Sequence, residues 1–127
     1  MPTVLLGDFN CAPGHQSYKV LTNQGGFVDI WNSRTGNLQH RYIASTFHNW
    51  WGLYVNMPIS RFCLYWLFYW HEGIPPQVDR YHVDWILYKG DGIQPLDVMV
   101  LTDHVGSQYP SDHFPVIGLF NFHKIKV

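Results

Sequence analysis

The chain has 127 residues, of which 46% are apolar and 13% charged, so it is too apolar to be disordered. Its length allows one domain with a substantial core, but not two independent domains. The formal net charge of −1 lacks the basic excess that is typical of sequence-independent nucleic-acid binding. Cys11 and Cys63 show no C-x-x-C spacing and are too few for a disulfide scaffold, so we interpret both as ordinary thiols.

The predicted elements begin with an apolar run at residues 3–6 that ends at Gly7, as in a strand buried on both faces. Residues 16–23, with glycines after them, predict a short helix, and residues 27–31 lead back into the core. Four further apolar runs, bounded by Gly, Pro, Asp or Asn, predict strands at residues 42–47, 83–88, 96–101 and 115–122. Because several runs are apolar at successive positions, we expect the sheet to be covered on both faces.

Polar side chains follow the first of these strands. Asp8 and Asn10 are two residues apart, so their side chains leave on the same side if the strand continues past Gly7. Gly, Asp and Asn are also common turn formers, and on this motif alone a turn is favoured. The motif therefore predicts either a shared polar face or a turn.

Two other segments carry chemically active groups. Asp84 lies at the start of an apolar strand, where a carboxylate is costly to bury unless a proton donor meets it. Asp112 and His113 are adjacent in a Pro-bounded loop just before the last predicted strand. Taken singly, such an Asp-His pair is typical of a solvated turn.

In this order, the segments resemble motifs of the endonuclease/exonuclease/phosphatase superfamily, the deoxyribonuclease-I-like metal-dependent phosphoesterases. Residues 7–10 match G-D-F-N, residues 83–87 resemble the R-I-D-[WY]-I-[LF] strand, and residues 111–116 match S-D-H-x-P-[IV]. Residues 45–48 resemble the T-F-H stretch of many members. The resemblance is to the C-terminal half of the domain, and implies an α+β fold: half of a four-layer α/β sandwich, with one mostly antiparallel mixed sheet and one or two short helices.

The resemblance implies a metal-dependent phosphoesterase that hydrolyses phosphodiesters or phosphomonoesters. Asp8, helped by Asn10, would orient or deprotonate the attacking water. Asp112 would help to hold Mg²⁺ or Mn²⁺, since hard cations prefer oxygen ligands. His113 would hydrogen-bond the phosphoryl oxygen that gains charge, and Asp84 would hold the ring of His113 and favour its protonated form.

The chain also departs from the family pattern. The family's metal-binding Glu and phosphate-binding Asn lie upstream of G-D-F-N, whereas Glu72, the only glutamate here, lies downstream. We therefore expect impaired activity, with a non-catalytic binding or interaction domain as the alternative. One sheet alone would leave several hundred Å² of apolar surface bare, beyond what soluble monomers usually expose. This predicts self-association or a complementing N-terminal half; nucleic acid is a possible partner that the charge does not indicate.

Residues 53–70 are strongly apolar and look inserted relative to the family. They could cover the bare sheet, contact a membrane, or be translated non-coding sequence, and we favour the last. Pro58 and Arg61 argue against a membrane span, because a charge at bilayer depth costs about 2.5–3.5 kcal/mol. The N-terminus has no basic segment, which predicts no secretory signal.

The remaining histidines show neither H-x₃-H nor H-E-x-x-H spacing, so no zinc site is predicted. His48 is the exception among them: its T-F-H stretch predicts a place near the rim of the site and a contact with substrate or with a neighbouring catalytic residue. Asp103 and His104 repeat the Asp-His pair, but no strand of the same kind follows them, and we interpret this pair as structural.

Overall fold

The computed structural model describes residues 1–33, 45–50, 52 and 82–123. The elements in chain order are strand β1 (Thr3–Asp8), helix α1 (Gln16–Lys19) with a π-helical turn (Val20–Gln24), β2 (Val28–Asp29), a 3₁₀ helix (Ile30–Ser33), β3 (Asp84–Lys89), β4 (Ile93–Val100) and β5 (Val116–Phe122). Within these ranges, no helix has the length and apolar character needed to cross a membrane.

The strands form two antiparallel sheets. β3 is the central strand of a three-stranded sheet, with β1 on one side and β2 on the other. β4 and β5 pair in a second sheet, with a register shift between Pro95 and Asp97. The predicted α+β class, with antiparallel strands and short helices, is confirmed, and the described strands are divided between two sheets where the sequence suggested one.

The core is built around β3. Trp85, Ile86 and Leu87 are all buried, as expected for a strand that is apolar at successive positions. Ile86 packs with Ile30 and Val98, which joins the first sheet to the second. Trp85 lies in a separate aromatic cluster that includes Phe9, with the two rings stacked at 4.5 Å. Burial on both faces of β3 therefore fixes the strand that carries Asp84.

A glycine allows the close approach of the two sheets. A Cβ atom at Gly118 in β5 would lie 2.9 Å from the Cδ1 atom of Ile30 and 3.1 Å from that of Ile86. Real Cβ atoms essentially never approach another heavy atom to within 3.0 Å, so a side chain at position 118 would require the end of the Ile30 side chain to shift. The second sheet thus covers one face of the first.

The other predicted elements match in part. The predicted helix is α1 and its π-helical turn, and it ends where Gly26 adopts a left-handed φ of 66°. β4 begins earlier than predicted, at Ile93, and contains Pro95 next to the register shift. Of the strand predicted at 42–47, residues 45–47 show only an isolated bridge at Phe47, and the rest lies outside the described residues.

Several large apolar side chains are exposed in spite of this packing. Leu6, Leu96, Leu119 and Phe122 are each more than half exposed. This exposure agrees in direction with the expected self-association, which stays a prediction. The segment 53–70 and Glu72 lie outside the described residues.

A buried carboxylate provides a test of the packing of α1. Asp29 is 3% exposed, and its Oδ2 accepts a hydrogen bond of 2.9 Å from the Tyr18 hydroxyl. Burial and the charge of Asp29 raise the pKa of Tyr18. Tyr18→Phe leaves this buried carboxylate oxygen without that donor, and should lower the free energy of unfolding by about 1–3 kcal/mol in urea titrations. Tyr88→Phe, which removes a bond to the neutral Ser33 hydroxyl, should cost less; the reverse order would contradict this account.

Candidate active site

The pairing of β1 with β3 brings two carboxylates to one edge of the sheet. Asp8 is the last residue of β1 and Asp84 the first residue of β3, and the antiparallel register places them opposite each other. Residues directly opposite in such a pair have close Cβ atoms and interact. Two aspartates distant in the sequence thus share one end of the sheet, as the motif order predicted.

His113 joins both carboxylates. Its Nδ1 atom lies 2.9 Å from Asp84 Oδ2, and its Nε2 atom lies 4.0 Å from Asp8 Oδ2. Because a carboxylate oxygen only accepts, Nδ1 carries the proton that is donated to Asp84. The predicted partner of the Asp84 carboxylate is therefore present, and the other ring nitrogen faces Asp8.

Burial and charge act on the His113 ring in opposite directions. Burial alone lowers the pKa of His113, because it penalises the charged form. The hydrogen bond and the charge of Asp84, together with the charges of Asp8 and Asp112, outweigh it and raise the pKa above its ordinary value of 6.5. A larger fraction of this ring is protonated at neutral pH than of a free histidine.

The loop that carries His113 is held by the backbone of residues 45–49, which we call the strap. Phe47 forms a β-bridge with His113, and the Phe114 N–H donates to the Thr46 carbonyl at 2.7 Å. The N–H groups of His48 and Asn49 donate to the Asp112 carbonyl at 2.9 and 3.1 Å. The strap therefore binds the Asp-His loop on both sides of His113.

Asn10 and Asp112 lie near this group without completing it. The Asn10 N–H donates to Asp8 Oδ1 at 2.8 Å, and Asn10 has a φ of 51°, so the residues after β1 form the turn given as an alternative above. The Ser111 hydroxyl lies 3.4 Å from Asp112 Oδ1. Among the described residues, the one group of three possible metal ligands is Asp8, Asp84 and His113, with ligand atoms within 4.8 Å of one another.

His48 occupies a different place from the one expected. It is 1% exposed, its ring lies 4.1 Å from the Phe114 ring, and its Nδ1 accepts the Gly52 N–H at 3.1 Å. Burial lowers the pKa of His48, so the ring is held neutral. This burial argues against the predicted substrate contact and favours a role in supporting the Asp-His loop.

A cleft opens beside the three residues. It has a volume of about 260 Å³, and Leu6, Gly7, Asp84, Ile86 and His113 are among its lining residues. This is close to the lower end of the range of small-molecule pockets, about 300–1,000 Å³. The carboxylates and the imidazole thus meet where a small ligand can enter.

Two hydroxyl groups contribute to this geometry without having been predicted from the sequence. The Ser111 hydroxyl accepts the His113 N–H at 3.1 Å, a local turn that the S-D-H order could have indicated. The Thr46 hydroxyl accepts from the N–H groups of Val83 and Asp84 at 3.1 and 3.2 Å. The T-F-H resemblance marks residues 45–48 but not this contact, because the partners of Thr46 are far away in the chain.

The Asp84–His113 pair predicts a pH dependence of stability. Folding raises the pKa of His113, so protonation of this ring stabilises the folded state. This stabilisation is fully present below about pH 6.5 and is lost as the pH rises through the folded-state pKa. The free energy of unfolding should therefore be higher for wild type than for Asp84→Asn, and this difference should be larger at about pH 5.5 than at about pH 8.5. The lowered pKa of His48 acts in the opposite sense, but it is common to both proteins and cancels. If urea titrations showed the same difference in free energy of unfolding at both pH values, the stabilisation of protonated His113 by Asp84 would be contradicted.

The donor set is suitable for a divalent cation. Two carboxylates and an imidazole are ligand types that Mg²⁺, Mn²⁺ and related ions accept, with the carboxylates favouring the hard cations. Asp84 Oδ2 already accepts the hydrogen bond from His113, whereas Asp8 is the most exposed of the three. Asp8 is thus the member of the group most open to an entering cation.

Comparisons with known proteins agree with this arrangement. Residues 1–113 match the family model described as the Endonuclease/Exonuclease/phosphatase family, and no curated protein matches the chain. A solved structure of a functionally unknown conserved protein from Enterococcus faecalis V583 is similar, with a TM-score of 0.63 and 29% identity over 96% of this chain and 37% of that one. A mannosyl-6-phosphatase of Bacteroides thetaiotaomicron VPI-5482 has a TM-score of 0.59 and 25% identity over 96% of this chain and 38% of that one. The chain therefore spans under two-fifths of the length of these solved relatives, and it belongs to the Endonuclease/Exonuclease/phosphatase family.

Proposed function

We propose that this chain takes part in the hydrolysis of phosphate esters in a reaction that depends on a divalent metal ion. The observation that carries the proposal is the position of His113, with Nδ1 bonded to Asp84 and Nε2 facing Asp8 beside a cleft. Membership of the family and the similarity to a phosphatase support a phosphoester hydrolase.

The three side chains have complementary tasks. Asp8, helped by Asn10 in the following turn, orients a water molecule whose oxygen attacks phosphorus while the P–O bond to the alcohol breaks. The proton lost by the water passes to solvent, and the leaving alcohol oxygen takes one up. His113 donates from Nε2 to a phosphoryl oxygen as charge builds up there. Asp84 fixes the ring of His113 and stabilises its protonated form.

The cation belongs with the carboxylates. We assign Asp8 as a ligand in this chain, because it is the most exposed member of the group, whereas Oδ2 of Asp84 is already bonded to Nδ1 of His113. Asp112 is assigned as a second ligand from the family resemblance alone. When bound, Mg²⁺ or Mn²⁺ polarises the phosphoryl oxygens and offsets their negative charge. The family's metal-binding Glu has no counterpart in the described group, so we expect weak metal binding and a low rate for the chain alone.

A phosphomonoester is the better substrate candidate. One of the similar solved structures is a mannosyl-6-phosphatase, and the cleft of about 260 Å³ has room for a phosphate group with a small alcohol. The near-neutral charge of the chain gives no support for a long nucleic acid. A phosphodiester stays an outcome of the test below.

The alternative is a binding domain that does not turn over its ligand. It is favoured by the ligand types found among the described residues, where the group of three possible metal ligands holds two aspartates and a histidine but no glutamate. In that case the site binds a phosphate ester without hydrolysing it, or needs residues from a complementing chain for hydrolysis. Exposed apolar side chains such as Leu119 and Leu6 would then contribute to contact with that chain or with a second copy.

The test measures release of p-nitrophenolate from p-nitrophenyl phosphate and from bis-p-nitrophenyl phosphate, with Mg²⁺, Mn²⁺ or EDTA. Wild type and the control Asp103→Asn should show metal-dependent release, faster from the monoester, and Asp8→Asn should be slower by about 10²-fold or more. Asp103 is a matched control because it is an exposed aspartate that also precedes a histidine.

Calorimetry with Mn²⁺ separates the alternatives. Binding of Mn²⁺ that depends on Asp8, without hydrolysis, would favour the binding domain over the enzyme. Equal hydrolysis by wild type and Asp8→Asn, or no Mn²⁺ binding by wild type, would contradict the proposed site.

A further inference from the structure

Thr46 connects the two segments that supply the Asp84–His113 pair. It is completely buried, with 0% exposure, although threonine is a polar residue that is usually found at the surface. Its hydroxyl and its carbonyl oxygen each accept hydrogen bonds from a different segment of the chain. A buried polar residue with two such sets of partners has a specific structural task.

The hydroxyl of Thr46 determines where β3 begins. The N–H groups of Val83 and Asp84 donate to the same Oγ1 atom, at 3.1 and 3.2 Å. In a regular strand, successive N–H groups point to opposite sides, so both can meet one acceptor only where the backbone turns. The Val83 carbonyl accepts from the Phe9 N–H at 2.9 Å, which ties the same turn to β1. The position of the Asp84 backbone is thereby fixed by Thr46 on one side and by β1 on the other.

The carbonyl of Thr46 and the residue after it hold the other member of the pair. The Phe114 N–H donates to the Thr46 carbonyl at 2.7 Å, and Phe47 forms a β-bridge with His113. The Ser45 hydroxyl donates to the Phe47 carbonyl at 2.7 Å, which stiffens the strap. One residue thus contacts the backbone beside both His113 and Asp84.

We infer that Thr46 is a positioning residue, which holds Asp84 and His113 in hydrogen-bonding register through its hydroxyl. The inference deepens the proposed function and rests on it. Thr46 acts through Asp84 and His113 and has no contact with the reacting atoms. Loss of its hydroxyl frees the entry of β3 to shift, and the Nδ1–Oδ2 hydrogen bond of 2.9 Å weakens. Displacements of about 1 Å at a reacting group can cost about 10²-fold in rate.

The experiment compares Thr46→Val with Thr46→Ser. Valine keeps the shape of threonine but removes the acceptor, whereas serine keeps the hydroxyl. Thr22→Val is the matched control, because the Thr22 hydroxyl bonds the Tyr18 carbonyl in the helical segment. The first readout is the His113 Hδ1 resonance by proton NMR, which reports the bond to Asp84 whether or not the chain is active. The second is amide hydrogen exchange at Val83 and Asp84.

Wild type, Thr46→Ser and Thr22→Val should show a protected, downfield Hδ1 resonance, and Thr46→Val should lose it together with the protection of the two amides. In the hydrolysis assay, kcat of Thr46→Val should fall by about 10- to 100-fold with KM changed by less than about twofold. A folded Thr46→Val protein that keeps the Hδ1 resonance would overturn the inference. If Thr46→Val does not fold, Thr46→Cys replaces it, since a thiol is a weaker acceptor of similar size. An unchanged Hδ1 resonance in Thr46→Cys would also contradict the inferred role of Thr46.

These outcomes are separable from failure of the proposed function. A wild-type chain that hydrolyses neither ester, but shows the Hδ1 resonance and loses it in Thr46→Val, refutes the activity and supports the role of Thr46. Hydrolysis by wild type with no effect of Thr46→Val on the resonance or on kcat supports the activity and refutes the role of Thr46.

Discussion

Replacement of His113 by alanine is expected to lower the rate of metal-dependent ester hydrolysis by about 10²- to 10⁴-fold. The change removes the Nε2 donor that faces Asp8 and the cleft, and leaves Asp84 without the proton donor that lies 2.9 Å away. The Asp84 and His113 side chains are both less than a third exposed, so water replaces the lost interaction only in part. The charge on the phosphoryl oxygens would then be stabilised by the cation alone.

His104→Ala is the matched control for this substitution. His104 also follows an aspartate, but it is exposed and its Nδ1 lies 2.7 Å from the Gly106 carbonyl oxygen. Steady-state rates with p-nitrophenyl phosphate and Mn²⁺ should be unchanged in His104→Ala. Circular dichroism spectra of both variants should match wild type. Equal rates in folded His113→Ala and wild type would remove His113 from the reaction.

The largest effect on stability is expected for Trp85→Ala, which should lower the free energy of unfolding by about 3–5 kcal/mol. Trp85 is 1% exposed, stacks on Phe9 and forms a T-shaped pair with Tyr18, with ring centroids 5.0 Å apart. Its Nε1 donates to the His82 carbonyl at 3.0 Å. Alanine leaves a cavity next to Asp84, between the strand and the helical segment.

Urea titrations followed by circular dichroism measure this loss. Trp85→Phe should cost clearly less than Trp85→Ala, because it keeps an aromatic ring for stacking and removes mainly the Nε1 hydrogen bond. A change of under about 1 kcal/mol in Trp85→Ala would contradict the packing described for β3.

The parts of the site that follow from the sequence are those with a local physical cause. Asp84 begins an apolar strand, and the cost of burying a carboxylate correctly indicated a proton-donating partner. Burial on both faces is confirmed for the run from Trp85 to Leu87. The same prediction for residues 3–6 was wrong, because β1 has no buried residue and Leu6 is exposed. The order of the three motifs then identified the family and with it His113 as the partner.

The parts that the sequence did not show depend on contacts between distant segments. Thr46 belongs to the T-F-H stretch, but its importance comes from its bonds to the N–H groups of β3 and of the His113 loop, which that stretch does not reveal. His48 was expected at the rim, but packing against Phe114 buries it. Asn10 lies in a turn because its N–H donates to the Asp8 carboxylate and not to a neighbouring strand. The motif alone did not decide between a turn and a continued strand.

The most direct test of the central claim is a crystal structure of the chain with Mn²⁺ and inorganic phosphate. We predict an anomalous manganese peak bound by the Asp8 carboxylate, and a phosphate oxygen within hydrogen-bond distance of His113 Nε2, with Nδ1 still bonded to Asp84. Manganese and phosphate bound away from the cleft, or a His113 ring turned away from Asp84, would contradict the account.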